Sequence, residues 1–296
     1  MLDANTIQIQ SLKCNWWKNI CVDVLRLDEL HPIISGNKWS KLKLNVAAAK
    51  ALGKDTIATF GGAYSNHIVA TAFACKAAGL KSVGFIRGEK PPQLSLSLQE
   101  AEDHLMHLVY VSRKAYKNKE HIIHQYAEEN WYWVNEGGYG VNGMLGAKDI
   151  LKTADTSSYS HIICACGTGT TLAGLAEAAL PHQQCIGISV LKGHANLRND
   201  VMELLPHRHQ YKNIEIFHHY HFGGYAKHPV EVINWMNELW RAEQLPTDIV
   251  YTSKLMFAVK DLIDKKYFTT KDKVLVIHSG GLQGNKSLAK GTLEFL

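Results

Sequence analysis

Three short polar stretches contain the residues with the clearest capacity for chemistry. The first holds Lys38 after Ser35-Gly36-Asn37, the second is Gly61-Gly62-Ala63-Tyr64-Ser65-Asn66-His67, and the third is Gly167-Thr168-Gly169-Thr170-Thr171. A deprotonated lysine amine forms Schiff bases, and glycine-rich turns that lead into a helix bind anions. Together the three stretches indicate amine chemistry on a small anionic ligand.

The stretch from Gly167 to Thr171 follows an apolar run and precedes a predicted helix. Its glycines allow a tight turn, and the helix start presents unpaired N–H groups, to which three threonine hydroxyls add donors. The sequence predicts a phosphate-binding turn; incidental glycines in a strand–helix turn are the alternative. No Gly-Lys-Ser/Thr follows, so it is not a Walker loop, and the third glycine and ribose-binding acid of a dinucleotide site are missing.

Lys38 differs from its neighbours Lys41 and Lys43, which we expect to be solvated surface charges. A glycine turn and Asn37 place Lys38 at the start of a predicted helix. The positive end of a helix and burial both lower the pKa of an amine, as Schiff-base chemistry requires.

The stretch Ser65-Asn66-His67 also begins a predicted helix. One interpretation is that Ser65 or Asn66 merely caps the helix. The functional interpretation is that the helix start binds a carboxylate while Ser65 contacts the reacting group, because the run holds more polar groups than a cap needs.

These stretches require elements that bring them together. Short apolar runs rich in β-branched residues predict strands, and longer runs between them predict helices. The predicted strands span 22–27, 55–60, 82–86, 107–111, 160–164, 184–189, 214–218 and 273–278. The predicted helices span 38–52, 66–78, 97–103, 114–130, 142–153, 170–180, 229–243, 255–265 and 282–289. The alternation predicts an α/β fold with mostly parallel sheets and helices on both faces, which binds ligands at the carboxyl ends of its strands.

Composition narrows the function classes. The chain has 296 residues, 46% hydrophobic and 20% charged, with a net charge of +5. It has no long Lys/Arg run, no apolar stretch long enough to span a bilayer and no signal-like start, so neither nucleic acid nor membrane is an expected partner. The six cysteines form no disulfide pattern. We therefore expect a cytoplasmic protein with free thiols and predict no metal site.

The order of motifs resembles one enzyme family over nearly the whole chain. The matching runs are Arg26-Leu27-Asp28-Glu29-Leu30, Ser35-Gly36-Asn37-Lys38-Trp39-Ser40-Lys41-Leu42, Gly61 to His67, Glu136-Gly137-Gly138, Gly167 to Thr171, Phe222-Gly223-Gly224-Tyr225, Tyr251-Thr252-Ser253-Lys254 and His278-Ser279-Gly280-Gly281. They resemble the 1-aminocyclopropane-1-carboxylate (ACC) deaminases and D-cysteine desulfhydrases, pyridoxal 5′-phosphate (PLP) enzymes of the tryptophan-synthase-β-like fold type II.

The resemblance implies a role for each matching residue. Lys38 would form the Schiff base with PLP, and Asn66 would bind the cofactor's 3′ oxygen. Ser65, Tyr225 and Tyr251 would be catalytic, and Thr252 would contact the pyridine nitrogen. The remaining implied positions are Gly167, Thr168, Gly169, Thr170 and Thr171 at the phosphate, and Ser65, Asn66 and His67 at the substrate carboxylate.

The resemblance also bears on the reaction. ACC deaminases typically carry Glu where this chain has Thr252, and Leu where it has Ser279. Both departures favour β-elimination from D-cysteine, giving pyruvate, ammonia and sulfide, over opening of a cyclopropane. ACC deaminase activity stays open as an alternative, as does a non-catalytic PLP or amino-acid binding protein; a nicotinamide-dependent oxidoreductase is disfavoured by the glycine pattern. Tyr139 replaces a common Ser, which can alter substrate preference.

The resemblance further implies two domains. Residues 1–45 and 150–296 would form a large PLP-binding domain, residues 46–149 a smaller α/β domain, and the active site would lie in the cleft between them. It also implies a homodimer that acts on a small amino-acid substrate.

Overall fold

The computed structural model describes residues 7–31, 34, 36–207, 210–211 and 213–296. Within them the strands form two separate sheets. The larger sheet has six strands in the order β1-β2-β10-β7-β8-β9, and only the β1–β2 pair is antiparallel. Its strands are β1 Ile9–Ser11, β2 Cys21–Arg26, β7 His161–Cys166, β8 Gln184–Ser189, β9 Ile214–Phe217 and β10 Lys273–His278.

The smaller sheet has four parallel strands in the order β5-β4-β3-β6. They are β3 Thr56–Gly61, β4 Lys81–Arg87, β5 Met106–Val111 and β6 Trp131–Val134. All four lie within residues 46–149, where a smaller domain is predicted, and the strands of the larger sheet lie outside that range.

Helices connect the parallel strands. They are α1 Asn37–Ala51, α2 Asn66–Ala78, α3 Leu96–Asp103, α4 Lys119–Tyr126, α5 Val141–Lys148, α6 Thr170–Ala178, α7 Leu197–Leu204, α8 Val230–Glu243 and α9 Thr252–Asp264. None of the helices in the described ranges combines the length and apolar character needed to cross a bilayer.

Both faces of the larger sheet are covered, which explains its continuous apolar strands. Along β7, Ile162 and Cys164 pack into a core with α5, α6 and α7, whereas Ile163 and Ala165 pack into a second core with α8 and α9. The smaller sheet is covered in the same way, because Ile57 faces α1 and α2 while Phe60 faces α4. The predicted fold class, two mostly parallel sheets with helices on both faces, is confirmed.

Several elements differ from the sequence prediction. Strands β1 and β6 and helix α7 are additional, although α7 buries Leu197, Val201 and Leu204 at a helical spacing that the sequence contains. The helix predicted over 114–130 is shorter, because the Asn118 side chain accepts a hydrogen bond from His121 N and begins α4 there. The predicted helix over 282–289 is a 3-10 helix, Leu282–Ser287.

Candidate active site

The carboxyl ends of strands from both sheets border one cavity of about 300 Å³. Its lining includes Lys38, Ser65, Asn66, His67, Gly167, Thr168, Gly169, Thr170, Thr171, Tyr225 and Tyr251. The structure therefore brings together every residue that the sequence singled out for chemistry except Thr252. Lys41, Arg87 and Glu136 also line the cavity, although no local sequence pattern marks them as site residues.

The position of Lys38 is fixed by the turn before α1. Gly36 has φ of +70°, and a Cβ there would lie 1.8 Å from the carbonyl oxygen of Ser279, so only glycine fits. The backbone N–H of Gly36 donates to Leu27 O at 2.7 Å, and that of Asn37 donates to Ser279 O at 3.3 Å. These contacts tie the start of α1 to the ends of β2 and β10.

The amine of Lys38 is buried inside the cavity. Its Nζ donates to Asn37 Oδ1 at 2.7 Å and lies 5.4 Å from the centre of the Tyr251 ring. Burial lowers the pKa of Lys38 to about 8, although the negative charge of Asp248 acts in the opposite direction. A large fraction of the amine is therefore neutral near pH 8, as a nucleophilic lysine requires.

The turn between β7 and α6 forms an anion-binding cup. Gly169 has φ of +81°, and the threonine hydroxyls of Thr168 and Thr170 lie 3.0 Å apart. Asn37 Nδ2 donates to Thr171 Oγ1 at 2.7 Å, which joins the cup to the Lys38 turn. Because α6 begins at Thr170, its first N–H groups point out of the helix and can bind a phosphate.

Lys41 corrects an expectation of the sequence analysis. It is not a solvated surface charge but is buried, 6% exposed, and lines the cavity. Burial first, and then the charge of Lys38, hold its pKa well below the usual value. No carboxylate of the described residues forms an ion pair with it. The signal in the sequence was the three-residue spacing from Lys38, which places both amines on one helix face. Lys43 does lie at the surface, 2.6 Å from Asp149.

The start of α2 presents polar side-chain groups that form no hydrogen bonds with the rest of the described protein. Ser65 is the N-cap residue, but its side chain makes no capping hydrogen bond. Asn66 is 5% exposed, and its Oδ1 has no hydrogen-bond partner among the described residues. Since capping does not account for either side chain, the functional interpretation of this stretch is the stronger one.

His67 is a buried, neutral imidazole. Thr59 donates its hydroxyl proton to Val134 O, so it accepts from His67 Nε2 at 2.8 Å. Nε2 therefore carries the proton, and Nδ1 is an acceptor without a partner in the described part of the chain. Burial, together with the charges of Lys41 and Lys38, lowers the pKa of His67 to about 3. A carboxylate can accordingly receive only the backbone N–H of His67, not its ring.

Tyr225 and Tyr251 line the cavity together, with ring centres 6.2 Å apart. Burial raises the pKa of Tyr225 to about 12 and that of Tyr251 well above its usual value. The loop that carries Tyr225 is held by Lys254, whose Nζ donates to the carbonyl oxygens of His221 and Gly224 at 3.0 and 2.7 Å. Both phenols therefore keep their protons and can donate them.

Thr252 lies behind the cavity wall rather than in it. It is fully buried, and its hydroxyl donates to Asp248 Oδ1 at 2.7 Å while accepting from Asp248 N at 2.7 Å. Asp248 also accepts the N–H groups of Val250, Tyr251 and Thr252. This carboxylate, which the sequence analysis did not select, fixes the turn that carries Tyr251.

Comparison with known proteins decides the family. The sequence profile of the family described as "pyridoxal-phosphate dependent enzyme" matches residues 18–280. The chain belongs to this family. It is therefore a PLP-dependent enzyme, as the sequence predicts.

Individual relatives support the same family assignment. A Thermotoga maritima protein provisionally named 1-aminocyclopropane-1-carboxylate deaminase is 30% identical over 88% of this chain and 88% of its own length. A Yersinia pestis D-cysteine desulfhydrase is 27% identical over 87% of this chain and 86% of its own length. The solved structure of an ACC deaminase homologue superimposes with a TM-score of 0.82 and 26% identity, covering 96% of this chain and 92% of that one. The resemblance described from the motifs is thus confirmed.

The residues of the cavity fit PLP. Lys38 offers a buried amine to the aldehyde, and the cup from Gly167 to Thr171 offers N–H and O–H donors to the phosphate. Lys41 offers a second buried amine, with which no carboxylate of the described ranges pairs. The unpartnered amide oxygen of Asn66 marks a further polar contact that the protein itself does not supply.

Proposed function

We propose that this PLP enzyme degrades a small amino acid by β-elimination, as a D-cysteine desulfhydrase does, and releases pyruvate, ammonia and sulfide. One observation carries the proposal: a buried amine with a pKa of about 8 and two phenols with raised pKa values line the same cavity. Groups whose surroundings push their pKa values apart are suited to act as base and acid.

The proposed roles follow from these protonation states. The substrate α-carboxylate binds at the start of α2, to the backbone N–H groups and the free hydroxyl of Ser65. Lys38 Nζ removes the α-proton, the electron pair forms a Cα=Cβ bond, and the Cβ–S bond breaks with its pair on sulfur. A hydroxyl of Tyr225 or Tyr251 gives a proton to the departing sulfur. The aminoacrylate that is released then reacts with one water to give pyruvate and ammonia. When bound, PLP supplies the stabilisation of negative charge at the α-carbon.

Two positions favour elimination over ring opening. Ser279 lines the cavity with a small hydroxyl side chain. Thr252 contributes no charge, and the Asp248 carboxylate behind it is engaged by four donors within its own turn. The relatives named for D-cysteine desulfhydrase support the same choice.

The test is keto-acid release from the purified, PLP-supplemented protein offered D-cysteine and ACC in parallel, with Lys38→Ala as the blank. Pyruvate from D-cysteine alone is expected. Formation of 2-oxobutyrate from ACC would establish the deaminase instead. Bound PLP without keto acid from either amino acid would indicate a non-catalytic binding protein.

We further propose that the enzyme is a cytoplasmic homodimer with residues 1–45 and 150–296 as its PLP-binding domain and 46–149 as the smaller one. All six cysteines are free thiols, and four of them are buried, which suits a reducing compartment. Sedimentation equilibrium of the PLP-loaded protein gives the subunit number directly.

A further inference from the structure

Arg87 is a cation at the cavity that the proposed chemistry leaves without a role. Lys38 would bind the aldehyde of PLP, and Lys41 lies on the same helix. Arg87 instead lies at the carboxyl end of β4, in the smaller sheet. Gly61 pairs with Ile86 in the parallel β3–β4 ladder, so the next residues, Gly62 and Arg87, lie side by side. This register places the guanidinium beside the turn that leads to Ser65.

Arg87 lines the cavity next to Gly62. A Cβ on Gly62 would lie 3.8 Å from Arg87 Nη2, so the guanidinium is in contact distance of this turn. The guanidinium carbon lies 6.0 Å from the centre of the Tyr116 ring, within cation–π distance. The aromatic ring therefore orients Arg87 without neutralising it.

The acidic side chain that lines the same cavity does not neutralise Arg87 either. Glu136, which also lines the cavity, is paired with Lys119 at 2.6 Å. Across all described ranges, no carboxylate forms an ion pair with Arg87 and no side chain accepts a hydrogen bond from it. Its positive charge still reaches Tyr225 across the cavity, where it opposes the burial that raises the pKa of this phenol.

We propose that Arg87 binds an anionic group on the substrate's side chain, so that the enzyme selects amino acids with a negatively charged β-substituent. This inference rests on the proposed function, in which Ser65 and the start of α2 hold the α-carboxylate and leave Arg87 for the group on Cβ. A planar guanidinium suits carboxylate and sulfonate oxygens, and it also favours sulfur leaving as an anion.

Aspartate and asparagine are matched probes, because they have the same size and differ in side-chain charge. Their binding to the PLP-loaded enzyme is measured by isothermal titration calorimetry at low salt, with both enantiomers. We expect aspartate to bind about tenfold more tightly than asparagine, because the Arg87 guanidinium can donate charge-assisted hydrogen bonds to a carboxylate, although Arg87 is exposed and solvent screens part of its charge.

Three variants complete the design. Arg87→Gln should abolish the preference for aspartate, and Arg87→Lys should retain part of it. Lys90→Gln removes the same charge from the adjacent loop, where Lys90 is exposed and does not line the cavity, and should leave the preference unchanged.

Equal binding of aspartate and asparagine by the unmodified enzyme, or binding of neither, would overturn the proposal. So would an equal loss of both in Arg87→Gln, which would place the α-carboxylate at Arg87. Because calorimetry needs no turnover, these outcomes are separate from the D-cysteine assay, whose failure in the unmodified enzyme would reject the proposed function instead.

Discussion

The two walls of the cavity, one from each sheet, differ in how many of their polar groups form hydrogen bonds within the protein. On the larger-sheet side, Asn37 bonds to Thr171, Thr168 contacts Thr170, and Thr252 bonds to Asp248. On the smaller-sheet side, the hydroxyl of Ser65, Oδ1 of Asn66, Nδ1 of His67 and the guanidinium of Arg87 have no hydrogen-bond partner among the described residues.

The difference separates two tasks. A wall whose groups bind one another is rigid and prebuilt, as suits a cofactor that stays in place. A wall with unsatisfied groups forms its hydrogen bonds to a ligand that comes and goes, and the cost of leaving them unpaired is recovered on binding. Substitutions in the first wall should therefore change stability, and those in the second should change binding at nearly constant stability.

The largest effect is expected at Lys38, where the two walls meet. Lys38→Ala removes the amine that binds the PLP aldehyde, so activity should fall by about a thousandfold or more and the absorbance of covalently bound PLP should disappear. Lys43→Ala, on the same helix but in a surface ion pair with Asp149, is the control and should retain both. Retained cofactor absorbance in Lys38→Ala would remove this residue from the role.

Asp248 tests the wall on the larger-sheet side, whose polar groups bind one another. Asp248→Asn leaves several buried donors facing an amide, so we expect a loss of about 3 kcal/mol in the free energy of unfolding, measured by urea denaturation. Asp264→Asn is the matched control at the far end of α9, because Asp264 lies in surface ion pairs with Lys18 and Lys260. Similar stability of the two variants would contradict the distinction between the walls.

Ser65 tests the wall on the smaller-sheet side, whose polar groups lack partners within the protein. Because its side chain makes no capping bond, Ser65→Ala should leave the melting temperature nearly unchanged while weakening substrate binding by about tenfold. Asn118 is the reverse case, since its Oδ1 accepts from His121 N and caps α4, away from the cavity. Asn118→Ala should cost about 1 kcal/mol of stability and leave substrate binding intact. A common response of both variants would mean that Ser65 is structural.

The smallest effect is the pH dependence of cofactor loading. Burial lowers the pKa of Lys38 to about 8, so the neutral amine that attacks the aldehyde increases up to that pH and then levels off. The rate of PLP attachment to the apo-protein, followed by absorbance, should rise about fivefold from pH 7 to pH 8 and less than twofold from pH 8 to pH 9. A continued tenfold rise per pH unit would indicate a lysine with its ordinary pKa.

Local pattern was sufficient for most elements and for the residues of the site. Alternating apolar runs predicted eight of the ten strands in the described ranges, and missed β1 and β6, which have three and four residues. Gly36 and Gly169 both have positive φ, a backbone conformation that favours glycine. The residue type alone therefore indicated both turns.

The sequence did not predict which residues, distant in the chain, contact one another. It suggested a solvated Lys41, because nothing local shows that the turn from Glu136 and the cup at Gly167 cover the same helix face. It gave no reason to select Arg87, whose position beside Gly62 depends on the register of two parallel strands.

The sequence by itself determined the fold class, the family and the order of the reactive residues, since each rests on residue type and on spacing along one element. Only the tertiary structure decided which polar groups are satisfied: Thr252 by Asp248, Glu136 by Lys119, and Ser65, Asn66 and Arg87 by none of the described residues. The physical reason is that hydrogen bonding and desolvation depend on the atoms that the fold brings within about 3 Å, irrespective of their separation in the chain.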